Sequence, residues 1–146
     1  MKKNLLLAAI LLFGYSVFAQ NTNTLVNNYI GVKNALVNSD AKTAKQTINI
    51  FYQSIKEDAN FKQKESLLKS TEKMVKADNI EKQREAFNAV SATLWDIVKN
   101  SGKINHTVYY QYCPMKKAYW LSNEKEIKNP YYGAAMLSCG SVVATK

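Results

Sequence analysis

Cys113 and Cys139 each carry a methionine at short range: Met115 lies two residues after the first, Met136 three residues before the second. In an extended segment residues two apart share a side, and on a helical turn residues three apart do. If the loop between them folds back on itself, two thiols and two thioethers converge. Thiolate and thioether sulfur select soft ions, Cu(I) above all, over calcium or magnesium. The plainer use of the pair is a disulfide, which would close a loop of about 27 residues and contribute about 3.5 kcal/mol on the chain-entropy model. Residue types and spacing leave both uses open.

Other chemistry is poorly supplied. His106 is the only histidine, so any Ser-His or Cys-His arrangement depends on it. It stands seven residues before Cys113, which in a regular strand puts the two side chains on opposite faces, and a solvent-facing histidine is expected. The cysteines are not spaced as C-x-x-C, and the chain holds no glycine-rich phosphate loop and no H-E-x-x-H. Glu124 and Glu126 sit in a charged loop, where solvation explains them. The chain is not expected to be an enzyme. Its formal charge is +9, yet Arg84 is the only arginine among 20 basic residues. Guanine and phosphate recognition favours the planar guanidinium fork, so nucleic acid is not an expected partner. Many lysines instead follow a carboxylate by four residues (Asp58/Lys62, Glu65/Lys69, Glu72/Lys76), the pattern of a solvated helix face.

The elements that must position the sulfurs follow a leader. Met1 to Asn4 is a short positive region, Leu5 to Phe13 an unbroken apolar run, and Val17-Phe18-Ala19 a peptidase-type site before polar residues. This reads as a secretory signal over residues 1–19, cleaved after Ala19, which places the mature protein in the periplasm or outside the cell. The apolar run is shorter than the ~20 residues a spanning helix needs, so no membrane span is expected after cleavage. No cysteine at the cleavage site offers a lipid attachment point.

Residues 22–146 then form one domain, with apolar content high enough to bury a core. Leu25, Tyr29, Val32 and Leu36 recur at helical spacing, and Ala41, Ala44, Ile48, Phe51 and Ile55 make a second stripe. Asn38-Ser39-Asp40 supplies a cap between them. A third helix is expected over Phe61–Ala77, with Leu67, Leu68, Thr71, Met74 and Val75 inward. A capping box, Asp78 with Glu81, opens a fourth that buries Ile80, Phe87, Val90, Leu94 and Ile97 and ends at Ser101-Gly102. The fold class is mainly α: a four-helix up-down bundle with a short C-terminal strand/turn cap. In that cap His106–Cys113 reads as a strand ended by Pro114. Tyr119, Trp120 and Leu121 anchor it, Asn129-Pro130 with Gly133 marks a turn, and Ala134–Leu137 makes one helical turn. The motif region is thus 106–140. Its six tyrosines either cover a small core with their hydroxyls wet or present a docking surface.

The phrases YYQYCPM, YWLSNEKEIKNPYYG and MLSCG (residues 109–140) resemble a family of uncharacterised bacterial exported domains, domain of unknown function 3347. Members also occur appended to periplasmic adaptor proteins of copper and silver efflux systems. The resemblance implies an extracytoplasmic metal-handling role, with Cys113, Met115, Met136 and Cys139 at the positions of the family's sulfur-bearing motif. The leading expectation is therefore an exported soft-metal protein that binds or senses Cu(I), with a metal efflux component as a candidate partner. The alternative is a disulfide-stapled, non-enzymatic interaction module that docks its aromatic tail onto an envelope protein.

Overall fold

A computed structural model of the protein describes residues 22–58, 61–102 and 104–146. The expected leader and cleavage site lie outside the described residues. The chain is mainly helical, with four helices followed by a small antiparallel sheet. Helix α1 occupies residues 22–37, α2 is Ala41–Glu57, α3 is Lys64–Val75 and α4 is Ile80–Asn100. The strands are β1 (Tyr109–Cys113), β2 (Ala118–Ser122) and β3 (Ser141–Thr145), in the spatial order β2-β1-β3. A 3-10 turn, Gly133–Met136, precedes β3. No described helix is long and apolar enough to cross a membrane.

Helical spacing of the apolar residues accounts for the bundle. Leu25, Tyr29, Val32 and Leu36 of α1 are buried, as are Ala44, Ile48, Phe51 and Ile55 of α2. Asp40 caps α2, its carboxylate accepting the Thr43 N–H at 2.9 Å, which satisfies one of the unpaired donors of the first turn. Helix α3 is shorter than its pattern suggested and buries only Leu67, Thr71 and Met74, leaving Leu68 and Val75 half-buried. The cap of α4 is a correction. Asn79, not Asp78, accepts the Lys82 N–H at 2.9 Å, because a box starting at Asp78 would begin the helix one residue early. Asp78 instead pairs with the Lys82 side chain at 3.1 Å. Among the expected lysine pairs, Glu72–Lys76 forms at 2.8 Å.

The cap is more regular than one strand and a turn. The strand expected from His106 starts at Tyr109, and β2 and β3 flank it. β1 pairs β2 in register from Tyr109↔Ser122 to Cys113↔Ala118, and a shift between Tyr110 and Gln111 marks a bulge against β3. Val108 and Lys146 exchange both backbone hydrogen bonds at 2.9 Å, extending the β1–β3 ladder. β2 is an edge strand, and an edge presents N–H groups that need partners. Here the helices supply them: Asn88 Oδ1 of α4 accepts from the Tyr119 N–H at 2.8 Å, and the Tyr29 hydroxyl of α1 accepts from the Leu121 N–H at 3.1 Å. Tyr29 in turn donates to Ser91 Oγ at 2.6 Å, which donates to the Phe87 carbonyl at 2.8 Å. The Tyr29 ring stacks on Phe87 with centroids 4.9 Å apart. Burial of its hydroxyl, eased by Ser91 and Leu121, raises its pKa far above the usual phenol range.

This relay joins bundle to sheet through one oxygen. Tyr29→Phe strands the Leu121 N–H in the interior and is expected to cost about 1–3 kcal/mol. A thermal melt several degrees below wild type checks it, and an unchanged melting temperature refutes it.

Candidate functional site

β1 ends at Cys113, and its last inward-facing residues, Gln111 and Cys113, are buried. The chain must then reverse within residues 114–117 to pair Cys113 with Ala118. Pro114 stops the ladder, and Lys117 takes a left-handed conformation at φ 51° to complete the turn. The reversal aims the backbone N–H groups of Met115 and Lys116 at the Cys113 sulfur. The Met115 N–H also reaches the Cys139 sulfur. Lys116 lies over the Tyr132 ring, 5.0 Å from its centroid, and ties the turn to the returning tail.

The second half of the site depends on Asn129, which is fully buried. Its amide nitrogen donates to the Cys139 carbonyl at 2.7 Å and also engages the Cys113 sulfur. Its Oδ1 accepts the Tyr131 N–H at 2.8 Å. Its backbone N–H reaches the Leu137 carbonyl at 2.8 Å, and its carbonyl accepts the Gly133 N–H at 3.0 Å. One residue thereby fixes the turn, the 3-10 segment and the second cysteine. Arg84 supports the same turn from α4, donating to the Pro130 carbonyl at 2.8 Å and to the Leu36 carbonyl at 2.8 Å. Gly140 follows Cys139 at φ 147° and lies flat against Trp120 and the Tyr112 carbonyl. No side chain fits there, so Cys139 sits directly over the sheet.

The two sulfurs, 26 positions apart in sequence, stand 3.3 Å from each other. Both are free thiols, Cys113 buried and Cys139 half-exposed. Burial opposes a thiolate at Cys113, but the Lys116 N–H, the Cys139 thiol, Asn129 and the Met115 N–H outweigh it and hold that thiol below its ordinary pKa. Cys139 is pushed up, first because its proton is shared with Cys113, then by desolvation and by the Cys113 charge. The surroundings of the pair thus favour the charged form at Cys113 over Cys139.

The sequence reading named four sulfurs, and the structure brings the two thiols together. Met115 is exposed at the tip of the β1–β2 turn and Met136 is half-buried at the end of the 3-10 turn. Neither lies in the helical core. Each is tied to the pair by its backbone: Met115 through the N–H described above, Met136 through its carbonyl, which accepts the Cys139 N–H at 3.1 Å. Among the described residues no three of His, Cys, Asp and Glu converge as a metal-ligand group. His106 lies before β1, at the far end from Cys113. Its Nδ1 is 2.6 Å from Asn105 Oδ1, and its Nε2 is buried without a hydrogen-bond partner among the described residues. The expected solvent-facing ring is thus half covered. Glu124 and Glu126 pair with Lys128 at 2.7 and 3.4 Å in an open loop.

Sequence reasoning missed Asn129 and Gln111 as positioning residues. Asn-Pro announced a turn, but nothing in a dipeptide says that its amide will bridge two cysteines. Gln111 anchors the loop after β2, its amide donating to the Glu124 and Lys125 carbonyls at 3.0 and 3.2 Å. The tyrosines divide. Tyr131 is buried against Trp120 and Phe87. Trp95, Tyr110, Tyr119 and Tyr112 form a half-buried stack with successive centroids 4.6, 4.9 and 4.5 Å apart.

A family model described as "Protein of unknown function (DUF3347)" matches residues 25–106. The matched stretch spans the four helices, whereas the phrases that suggested this family lie after it. No curated protein and no solved structure matches the chain.

Proposed function

We propose, for a chain that belongs to that family of unknown function, that it is an exported, non-enzymatic protein that binds Cu(I) through Cys113 and Cys139. Met115 and Met136 assist from the two turns that flank the pair. The observation that carries this reading is the 3.3 Å approach of two free thiols, one of them open to solvent. Hydrogen-bond donors around Cys113 favour the thiolate, and thiolate is the form that ligates. Two thiolates with thioethers nearby suit a soft monovalent ion, which accepts low coordination by sulfur. Zinc asks for four nitrogen, sulfur or oxygen ligands, and among the described residues no three His, Cys, Asp or Glu come together to supply them. Export rests on the leader, and the periplasm or exterior is the compartment it implies. The four helices, joined by short connectors, are taken as an up-down bundle that serves as the rigid base of the site.

A Cu(I) competition titration of the reduced protein against a chromophoric chelator tests the reading. One equivalent is expected to bind, and Cys113→Ser/Cys139→Ser to take up none. Met115→Leu and Met136→Leu are each expected to weaken binding by about tenfold, or ~1.4 kcal/mol. Absence of stoichiometric uptake by wild type ends the proposal. The alternative, an interaction module docking onto an envelope partner, draws on the half-exposed strip from Tyr112 to Trp95. The rings of that strip spend most of their faces on one another, which favours the metal reading.

A further inference from the structure

The two sulfurs of the pair differ in one respect that matters for reactions with other thiols: access. Cys113 is wholly buried beneath the β1–β2 turn and the Asn129 turn, while Cys139 opens to solvent. Thiol–disulfide exchange is a displacement at sulfur, so an incoming reagent must physically reach the atom with which it reacts. From the outside only Cys139 can be reached, and the second sulfur waits 3.3 Å behind it.

We propose that the pair exchanges with small disulfides in a fixed order, Cys139 meeting the reagent and Cys113 resolving the adduct. In the first step Cys139 gives up its proton and its sulfur, as thiolate, bonds to one sulfur of the incoming disulfide, whose S–S bond breaks and releases a thiolate that takes up that proton. In the second, Cys113 attacks the Cys139 sulfur, forms the intramolecular disulfide and expels the remaining half of the reagent as a second thiolate. The two cysteine protons end on the two released thiols. The protein gives up two electrons and the small disulfide takes both. In reverse, an external thiolate attacks Cys139, and Cys113 departs into its bed of N–H donors. In the reduced protein the Met115 and Lys116 N–H groups and the Asn129 amide surround its sulfur. If the pair also binds Cu(I), exchange switches that site between a ligating and a non-ligating form; this consequence rests on the metal reading, whereas the exchange itself does not.

Oxidised glutathione serves as the probe, with acid quenching and intact-mass analysis of the reduced full chain. Wild type is expected to finish as the intramolecular disulfide, two hydrogens lighter. At short times its trapped adduct should map to Cys139. Cys113→Ser should stop at a single glutathionyl adduct on Cys139. Cys139→Ser should react at Cys113 at least about tenfold more slowly than Cys113→Ser reacts at Cys139, because Cys113 is exposed only by local opening. Circular dichroism confirms that each variant is folded, and peptide mapping of the wild-type adduct gives the answer should either variant fail to fold. Equal or faster modification of Cys113, or a wild-type adduct that persists unresolved, overturns the proposal. A Cu(I) titration on the same reduced sample is read separately, so failure of metal binding and failure of exchange are distinguishable.

Discussion

Asn129→Ala is expected to lower stability by about 3–5 kcal/mol, the range for breaking a buried hydrogen-bond network. The substitution removes the donor to the Cys139 carbonyl, the acceptor for the Tyr131 N–H and the amide beside the Cys113 sulfur, in a setting that is buried at Tyr131 and part-buried at Cys139. An alanine methyl replaces none of them, and the Tyr131 N–H left behind is buried away from water while the tail stays docked. The tail is therefore expected to loosen before the bundle unfolds. Urea unfolding followed by far-ultraviolet circular dichroism gives the total loss. The alkylation rate of Cys113 gives the local one, and should rise well above the wild-type rate. A destabilisation under about 1 kcal/mol, the size of one ordinary exposed contact, would sink the view that this residue holds the tail together.

Gly140→Ala is expected to cost about 2–6 kcal/mol, combining a left-handed backbone that suits only glycine with overpacking of the core. A Cβ at this position would lie 2.8 Å from the Trp120 ring and 2.9 Å from the Tyr112 carbonyl. Trp120 is fully buried and β1 is the central strand, so neither has room to retreat. Relief comes only by lifting β3 and Cys139 off the sheet, which separates the two sulfurs. The measurable signs are a lower urea midpoint and slower closure of the intramolecular disulfide on oxidation. Wild-type values for both would show that the close approach is incidental.

Much of the helical part could be read from spacing because each stripe buries one face, and burial is what the apolar pattern records. Leu25 to Leu36 and Ala44 to Ile55 are inward in the structure as in the pattern, whereas Ala41, expected to open the second stripe, is exposed in the first turn of α2. The errors arise where two local solutions compete. Asp78 and Asn79 are both good caps, and which one serves depends on where the preceding chain arrives. The sheet was half legible. His106 to Cys113 announced a strand by aromatic and β-branched content, but β2 is a five-residue edge strand whose residues are nearly all buried, so it shows no alternation. β3 carries only Val142, Val143 and Ala144 as apolar residues, too short a run to distinguish from an apolar chain end. In the candidate site, residue types marked the sulfurs, and their meeting followed from tertiary packing that no local rule contains. Asn129 and Gly140 act through long-range contacts with β1 and β2, and a linear reading places the first only in a turn and the second only ahead of a short apolar chain end.

The stack that begins at Trp95 gives the molecule an intrinsic spectroscopic handle. Trp95 belongs to α4, and Tyr110 belongs to β1, with their rings nearly parallel at 5° and 4.6 Å apart. Electronic transitions of two rings so placed couple, and the coupling falls steeply once α4 and the sheet part. Near-ultraviolet dichroism of the unlabelled chain thus reports directly on whether the sulfur-bearing sheet is seated on its helices, with no dye or tag attached.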